Sequence, residues 1–295
     1  MNRARFVSFR RFDPAAFTTV LCDADGNLFP SEEPAFAASV NVTNNFLARY
    51  GITARYSAEE LLAQTTGKNF RTTAVDLAIQ GGVPIEATLA QGRPPAVIAT
   101  RKDVVAGRAL TAEELDQWVR RERDCVTAHL REVLRPDARV QEALHALSSR
   151  YGLAAVSSSA SKRLDACFTA TGLDSLIPAE VRFSAEDSLP VPTSKPDPAV
   201  YLFAGEVLGL ESAQGVAVED SVPGVMSAVA AGFVTIGNLM FVSPEERRHR
   251  TIQLVEAGAS AVANCWQVIS EHLLEPGRPS PTTRGRMATS RAGTP

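Results

Sequence analysis

Asp23 and Asp25 stand two residues apart in the run Leu21-Cys22-Asp23-Ala24-Asp25-Gly26-Asn27-Leu28, directly after the strand-like segment Thr18-Thr19-Val20. On a strand, residues i and i+2 share a face. A chain leaving a sheet near Asp23 can therefore turn both carboxylates towards one crevice at the strand's C-terminal edge. Gly26 permits the sharp turn that such a departure needs. Two anions this close repel. A divalent cation such as Mg2+, which takes hard oxygen ligands and keeps water and phosphate oxygens in its shell, relieves that repulsion. An ordinary Asp-Gly turn is the competing reading, since both residues gather in turns for conformational reasons alone.

Three further segments sit where an α/β fold would end other parallel strands. Leu153-Ala154-Ala155-Val156-Ser157-Ser158-Ser159 is an apolar run ending in hydroxyls before the helix-like Ala160-Ser161-Lys162-Arg163-Leu164. Ser157 at a strand end, with the N–H groups of Ser158 and Ser159 opening a helix, makes a phosphate cradle, or else the three serines are helix caps. Lys195, in Ser194-Lys195-Pro196-Asp197, is an isolated cation just before an apparent helix. Near two aspartates it can neutralise a phosphoryl group, and in an ordinary loop it is simply solvated. Val216-Ala217-Val218-Glu219-Asp220-Ser221 is a buried-type strand ending in adjacent acids. Those acids are the natural source of further metal oxygens.

Taken together and in order, these segments resemble the four motifs of the haloacid dehalogenase superfamily, in its β-phosphoglucomutase and phosphatase-like branch. The motifs are Asp23-Ala24-Asp25-Gly26-Asn27-Leu28, Ser157-Ser158-Ser159, Lys195-Pro196-Asp197-Pro198 and Glu219-Asp220-Ser221-Val222-Pro223-Gly224. The resemblance runs from about Thr18 to Gly237 and is weak between Pro34 and Pro136. It implies that Asp23 is the nucleophile, attacking phosphorus to give an aspartyl-phosphate. It also implies that Asp25 is the general acid and base, a task helped by an anionic neighbour. Ser157 would hold a phosphoryl oxygen and Lys195 would balance charge. Gly26, Ser158 and Ser159 would line the phosphate. Asp23, the Asp25 backbone carbonyl and Asp220 would hold Mg2+, with Glu219 either a further ligand or the partner of Lys195. An aspartate two residues after the nucleophile sets the chain apart from the dehalogenating and phosphonate-cleaving relatives, because an alkoxide leaving group needs a proton.

The expected fold class is α/β: a Rossmann-like parallel sheet with helices on both faces, plus an inserted α-helical cap domain. Candidate strands are Thr18 to Asp23, Leu153 to Ser157, Val181 to Ser184, Gly215 to Val218, Val234 to Ile236 and Ser260 to Ala263. The core is expected over 17–33 and 136–275, and the cap over 34–135. Within the insert, Leu115, Trp118 and Val119 fall at i, i+3 and i+4, one buried stripe of a helix with a charged opposite face. Thr66-Gly67-Lys68-Asn69-Phe70-Arg71 breaks the helical pattern. The resemblance implies that such a glycine-containing cap loop faces the active site, making Gly67, Lys68, Asn69 and Arg71 substrate-binding candidates, with a solvated basic turn as the alternative. The stretch Gly92 to Thr100 fits no simple helical pattern.

The chain has 295 residues, 45% hydrophobic and 21% charged, with a net charge of −3. That is ordinary globular material. Arg3, Arg5, Arg10 and Arg11 crowd the start and Arg278, Arg284, Arg286 and Arg291 the end, with no acid in either stretch up to Phe12 or from Pro276. The remaining body is strongly acidic, which argues against a nucleic-acid surface. Residues 1–16 are read as a flexible N-terminus and 276–295, rich in Pro, Ser and Thr, as a disordered tail. No apolar run approaches membrane-spanning length and the arginine-rich start lacks a secretory apolar core, so the expectation is a cytoplasmic protein. Cys22, Cys125, Cys167 and Cys265 are too dispersed for a zinc site or a disulfide framework.

The expected activity is that of a Mg2+-dependent phosphatase acting on a small phosphorylated metabolite, a phosphate monoester of a sugar or polyol, through an aspartyl-phosphate at Asp23. A sugar phosphomutase would use the same residues. More remote is a non-catalytic module binding a phosphorylated ligand.

Overall fold

A computed structural model describes residues 5–65, 70–93 and 96–275, without the side chains of 62–65. The tail 276–295 lies outside the described residues. Contacts divide the chain into two compact units, one of 1–29, 136–164 and 172–295, the other of 30–135 and 165–171.

The first unit is built on a sheet of seven strands: β1 (Phe6–Ser8), β2 (Thr19–Cys22), β3 (Gly152–Ser157), β4 (Arg182–Ser184), β5 (Gly215–Glu219), β6 (Val234–Asn238) and β7 (Ala261–Ala263). Their spatial order is β1-β7-β6-β5-β2-β3-β4. All pairs are parallel except β1 with β7. Every residue of β2 and β5 is buried, which explains why these strands read as continuous apolar runs rather than alternating ones. Leu21, Ala154, Val156 and Ala217 of three adjacent strands share a core with Tyr201 and Ala204 of the helix Ala199–Val207 and with Phe233.

Strand order reverses at β2. The chain builds β3 and β4 on one side of it, then crosses to build β5, β6 and β7 on the other. Such a switch point opens a crevice at the strands' C-terminal edge. The register sets what reaches that edge. Cys22 pairs with Val218 on one side and Ala155 on the other, so Asp23 and Glu219 each lie one residue beyond the pairing, and Ser157 two.

The start of the chain is a correction. Rather than a flexible segment, Phe6–Ser8 forms the antiparallel edge strand β1. Its Phe6 ring stacks on His272 at 3.8 Å, with Phe12 and Phe17 packed beyond. Four arginines made the segment read as solvated, yet Phe6 and Phe12 supply apolar area that seats it.

In the second unit, helix Glu32–Arg49 packs along helix Ala112–Val133. The latter opens on Thr111, whose side chain accepts from the Glu114 N–H at 3.1 Å. Leu115 is fully buried, and Trp118 and Val119 pack on the same cluster, which contains Phe46, Leu77, Ile85 and Leu110. Within the stretch that fits no helix, Val97 to Ala99 pair with Ile85 instead. Ile85 bridges to both Ile98 and Leu110, with Ile85 N–H donating to Val97 O at 2.8 Å and Ala99 N–H to Ile85 O at 2.9 Å. Thr100 then caps the short helix Arg101–Val105. Among the described residues no helix is long and apolar enough to cross a membrane.

Candidate active site

Lys195 reaches the end of β2 from the loop before helix Ala199–Val207. Its Nζ donates to Asp23 Oδ1 at 2.5 Å, Glu219 Oε1 at 2.6 Å and the Val156 carbonyl at 2.8 Å. An ammonium has three protons, and these three acceptors use them all. The lysine side chain is 5% exposed and Glu219 fully buried. Tyr201 OH donates to the same Glu219 oxygen at 2.5 Å. Tyr201 was not singled out in the sequence. The available signal was its place in the helix that follows Lys195.

The electrostatics are unbalanced. Burial first, and then repulsion from Glu219, push the Asp23 carboxyl up to about 8, against the pull of Lys195. For Lys195, burial disfavours the charge but Asp23 and Glu219 outweigh it and the group is held above its ordinary value. Burial and the adjacent Asp23 push the Cys22 thiol up, so it stays protonated and unreactive. One cation thus faces two buried carboxylates, and Asp220 adds a third beside them.

Asp23, Glu219 and Asp220 each present a carboxylate oxygen within 4.8 Å of the others. Glu219 Oε2 is buried without a hydrogen-bond partner among the described residues. A buried carboxylate oxygen left in that condition is costly unless a cation meets the site. The donor set is all hard oxygen and its net charge is negative, so the residues present fit a Mg2+ ion. Two glycines make room for the carboxylates. Gly26 has φ of +74°, and a Cβ there would meet Asp220 Oδ2 at 2.4 Å. A Cβ at Gly224 would meet Glu219 Oε2 at 1.8 Å. Gly26 is thus required both by its backbone angle and by the carboxylate beside it.

Asp25 lies beside this cluster and accepts from Ser159 and Arg163. Ser159 Oγ donates to its Oδ2 at 2.7 Å, and Arg163 Nη2 to its Oδ1 at 2.8 Å. Sequence reasoning named Asp23 as the charged neighbour of Asp25 and missed Arg163. Ser157 Oγ accepts from the Ser159 N–H at 3.0 Å, and Ser158 Oγ from the Lys195 N–H at 3.1 Å. The serines therefore knit the motifs to one another rather than leaving all their polar groups turned to a ligand.

Asn27 pins the loop from beneath. Fully buried, it donates from Nδ2 to the carbonyls of Asp23 at 2.8 Å and Val218 at 3.0 Å. Its Oδ1 accepts from Asn238 at 2.8 Å, and its own carbonyl from Trp266 Nε1 at 2.8 Å. A buried amide with each group satisfied ties the backbone at Asp23 to that of the neighbouring strand.

The structure brings Asp23, Asp25, Ser157, Lys195, Glu219 and Asp220 to one edge of the sheet. Arg71 lies in the other unit, where it pairs with Asp116 on an exposed helix face. Gly67, Lys68 and Asn69 lie outside the described residues.

The family profile described as haloacid dehalogenase-like hydrolase matches residues 17–232. A CBBY-like protein of Arabidopsis thaliana is 50% identical over 46 residues, 16% of this chain and only 14% of that protein's length. A haloacid dehalogenase family hydrolase from Deinococcus radiodurans, solved with bound phosphate and sodium, is 25% identical with a TM-score of 0.55, over 89% of this chain and all of that one (100%). A CbbY variant from Rhodobacter sphaeroides, solved with xylulose 1,5-bisphosphate, is 19% identical with a TM-score of 0.56, over 85% of this chain and 95% of that one. A family match across most of the chain, on a fold whose switch-point strand carries the first motif, makes this protein a member of the haloacid dehalogenase-like hydrolases.

Proposed function

We propose that the protein is a Mg2+-dependent phosphatase of small phosphate monoesters, with sugar or polyol phosphates as the substrate class. The observation that carries this reading is the buried bridge of Lys195 between Asp23 and Glu219, with Asp220 and Asp25 at the same sheet edge. The phosphate held by the Deinococcus hydrolase and the sugar bisphosphate held by the Rhodobacter protein support the choice of ester.

In this reading an Asp23 carboxylate oxygen attacks phosphorus in line. A P–O bond forms to Asp23, the ester P–O bond breaks, and the leaving alkoxide takes its proton from Asp25. Asp25 then takes a proton from the water that attacks the aspartyl-phosphate, releasing inorganic phosphate and restoring both aspartates. Lys195 stabilises the negative charge on Asp23 and on the transferring group, and the Ser157 hydroxyl donates to a phosphoryl oxygen. Asp23, Asp220 and the Asp25 carbonyl would hold Mg2+. Glu219 is the partner of Lys195 through Oε1, and its Oε2 is the oxygen it can offer the cation, directly or through water. When bound, the cation supplies the positive charge that lets an anionic phosphate approach these carboxylates.

The test follows free phosphate and product isomers across sugar, polyol and nucleotide monophosphates, with Mg2+ or chelator, for wild type and Asp23→Asn. Phosphate release by the wild type, lost with chelator and at least about a thousandfold lower in Asp23→Asn, is the expected result, because the variant keeps the side-chain size and loses the nucleophile. An isomer without free phosphate would instead make the protein a mutase. Activity surviving in Asp23→Asn would defeat the mechanism.

A further inference from the structure

Arg163 has no place in the reaction as derived so far, yet its guanidinium is aimed at the carboxylate asked to carry the proton. It lies in the first turn of helix Ser161–Thr171, four residues after Ser159. Ser159 stands in the turn before that helix, and both side chains reach Asp25. Arg163 Nη2 donates to Asp25 Oδ1 at 2.8 Å and Ser159 Oγ to Oδ2 at 2.7 Å, so each carboxylate oxygen has its own donor. The two side chains of the ion pair are only 25% and 20% exposed. A guanidinium is planar and holds a carboxylate in a defined plane as well as at a defined distance.

That matters because Asp25 must place one oxygen against the leaving group of the ester. A carboxylate on an unrestrained side chain would sample several rotamers, and proton transfer falls off steeply outside hydrogen-bond reach. Both restraining donors come from the segment following β3, whereas Asp25 follows β2. Their convergence depends on the parallel pairing of Val20 with Leu153 and Cys22 with Ala155.

We infer that Arg163 is a positioning residue: with Ser159 it orients the Asp25 carboxyl for proton delivery to the leaving group. This rests on the phosphatase reading above. It makes the effect of losing Arg163 depend on how much the leaving group needs a proton. An alkoxide needs one badly, and p-nitrophenolate scarcely does.

The experiment measures kcat/KM, which reports the step that expels the leaving group, for p-nitrophenyl phosphate and for the best alkyl phosphate of the panel. The proteins are wild type, Arg163→Met, Arg163→Lys, Asp25→Asn and the double variant Arg163→Met/Asp25→Asn. The expected result is a loss of at least about tenfold on the alkyl ester and less than about threefold on the aryl ester for Arg163→Met. Arg163→Lys should recover part of the alkyl activity, and Arg163→Met should cost nothing further once Asp25 is Asn. Equal losses on both esters would overturn the inference and make Arg163 a phosphate contact or a purely structural residue. So would an undiminished effect of Arg163→Met in the Asp25→Asn background. The same variants are compared by thermal denaturation without substrate. Additive effects there would show that the pair does not form and would also overturn the inference. Silence of the wild type on every ester, with the stability effects coupled, would instead mark the failure of the phosphatase reading.

Discussion

In the sheet unit the buried charged residues, Asp23, Glu219 and Asp220, lie together, with Lys195 almost as deeply enclosed. Among the described residues of 30–135 the buried polar groups are single hydroxyls, Ser31, Thr43, Thr73 and Thr127. Thr43 simply returns its proton to the Ser39 carbonyl one turn back. The charges of that unit pair on its surface, Arg49 with Glu114 and Arg108 with Asp103. One unit thus carries a cost of burying charge, which is tolerated where the charges serve a ligand, and the other buries almost nothing but apolar surface. The contrast teaches where mutation should damage chemistry and where it should damage only stability.

Lys195→Ala tests the contrast most severely. Removing the cation leaves Asp23 and Glu219 facing each other without compensation, and kcat should fall by about a hundredfold to a thousandfold. A change smaller than about threefold would place Lys195 outside the chemistry. Leu115→Ala asks the opposite question. It opens a cavity in an apolar cluster and should lower stability by about 2–5 kcal/mol in a denaturant titration, while Mg2+ affinity stays within about twofold. Metal affinity falling in step with stability would mean that the two units do not bury different things for different ends.

The raised Asp23 carboxyl sharpens the comparison through pH. Below about 8 the carboxyl of the metal-free site is mostly protonated. A ligand carboxylate must lose its proton to hold the cation, so Mg2+ affinity should rise with pH, by at most about tenfold per unit, and level off above that value. Calorimetry in buffers of different ionisation enthalpy should register the released proton at pH 7. Affinity that falls as pH rises would contradict the assignment. The smallest effect belongs to the surface of the inserted unit: Arg71→Ala, which breaks the exposed pair with Asp116, should leave the melting temperature within error of wild type. A clear loss of turnover with unchanged stability would instead give Arg71 the substrate role that its position in the sequence suggested.

The strands bearing the motifs were legible because parallel central strands are buried on both faces, and so read as apolar runs that stop abruptly at Asp23, Ser157 and Glu219. The helix containing Leu115 was legible from its periodicity. The strand Phe6–Ser8 was not, because three residues carry no period and the arginines around them dominate the composition. Nor was the segment around Ile98, whose extended form depends on Ile85 offering backbone partners from elsewhere in the chain.

Residue types and their spacing by themselves picked out Asp23, Asp25, Ser157, Lys195, Glu219 and Asp220 as candidates at the ends of successive strands, and the resemblance to a family supplied the roles proposed for them. Only the tertiary structure decided which partner each one has: Lys195 between Asp23 and Glu219, Tyr201 on Glu219, Arg163 on Asp25, and Asn27 between Asp23 and Asn238. The reason is physical. A motif records what a short stretch of chain can do, whereas a hydrogen bond between residues on different strands, loops and helices depends on strand register and helix placement, which no local stretch contains.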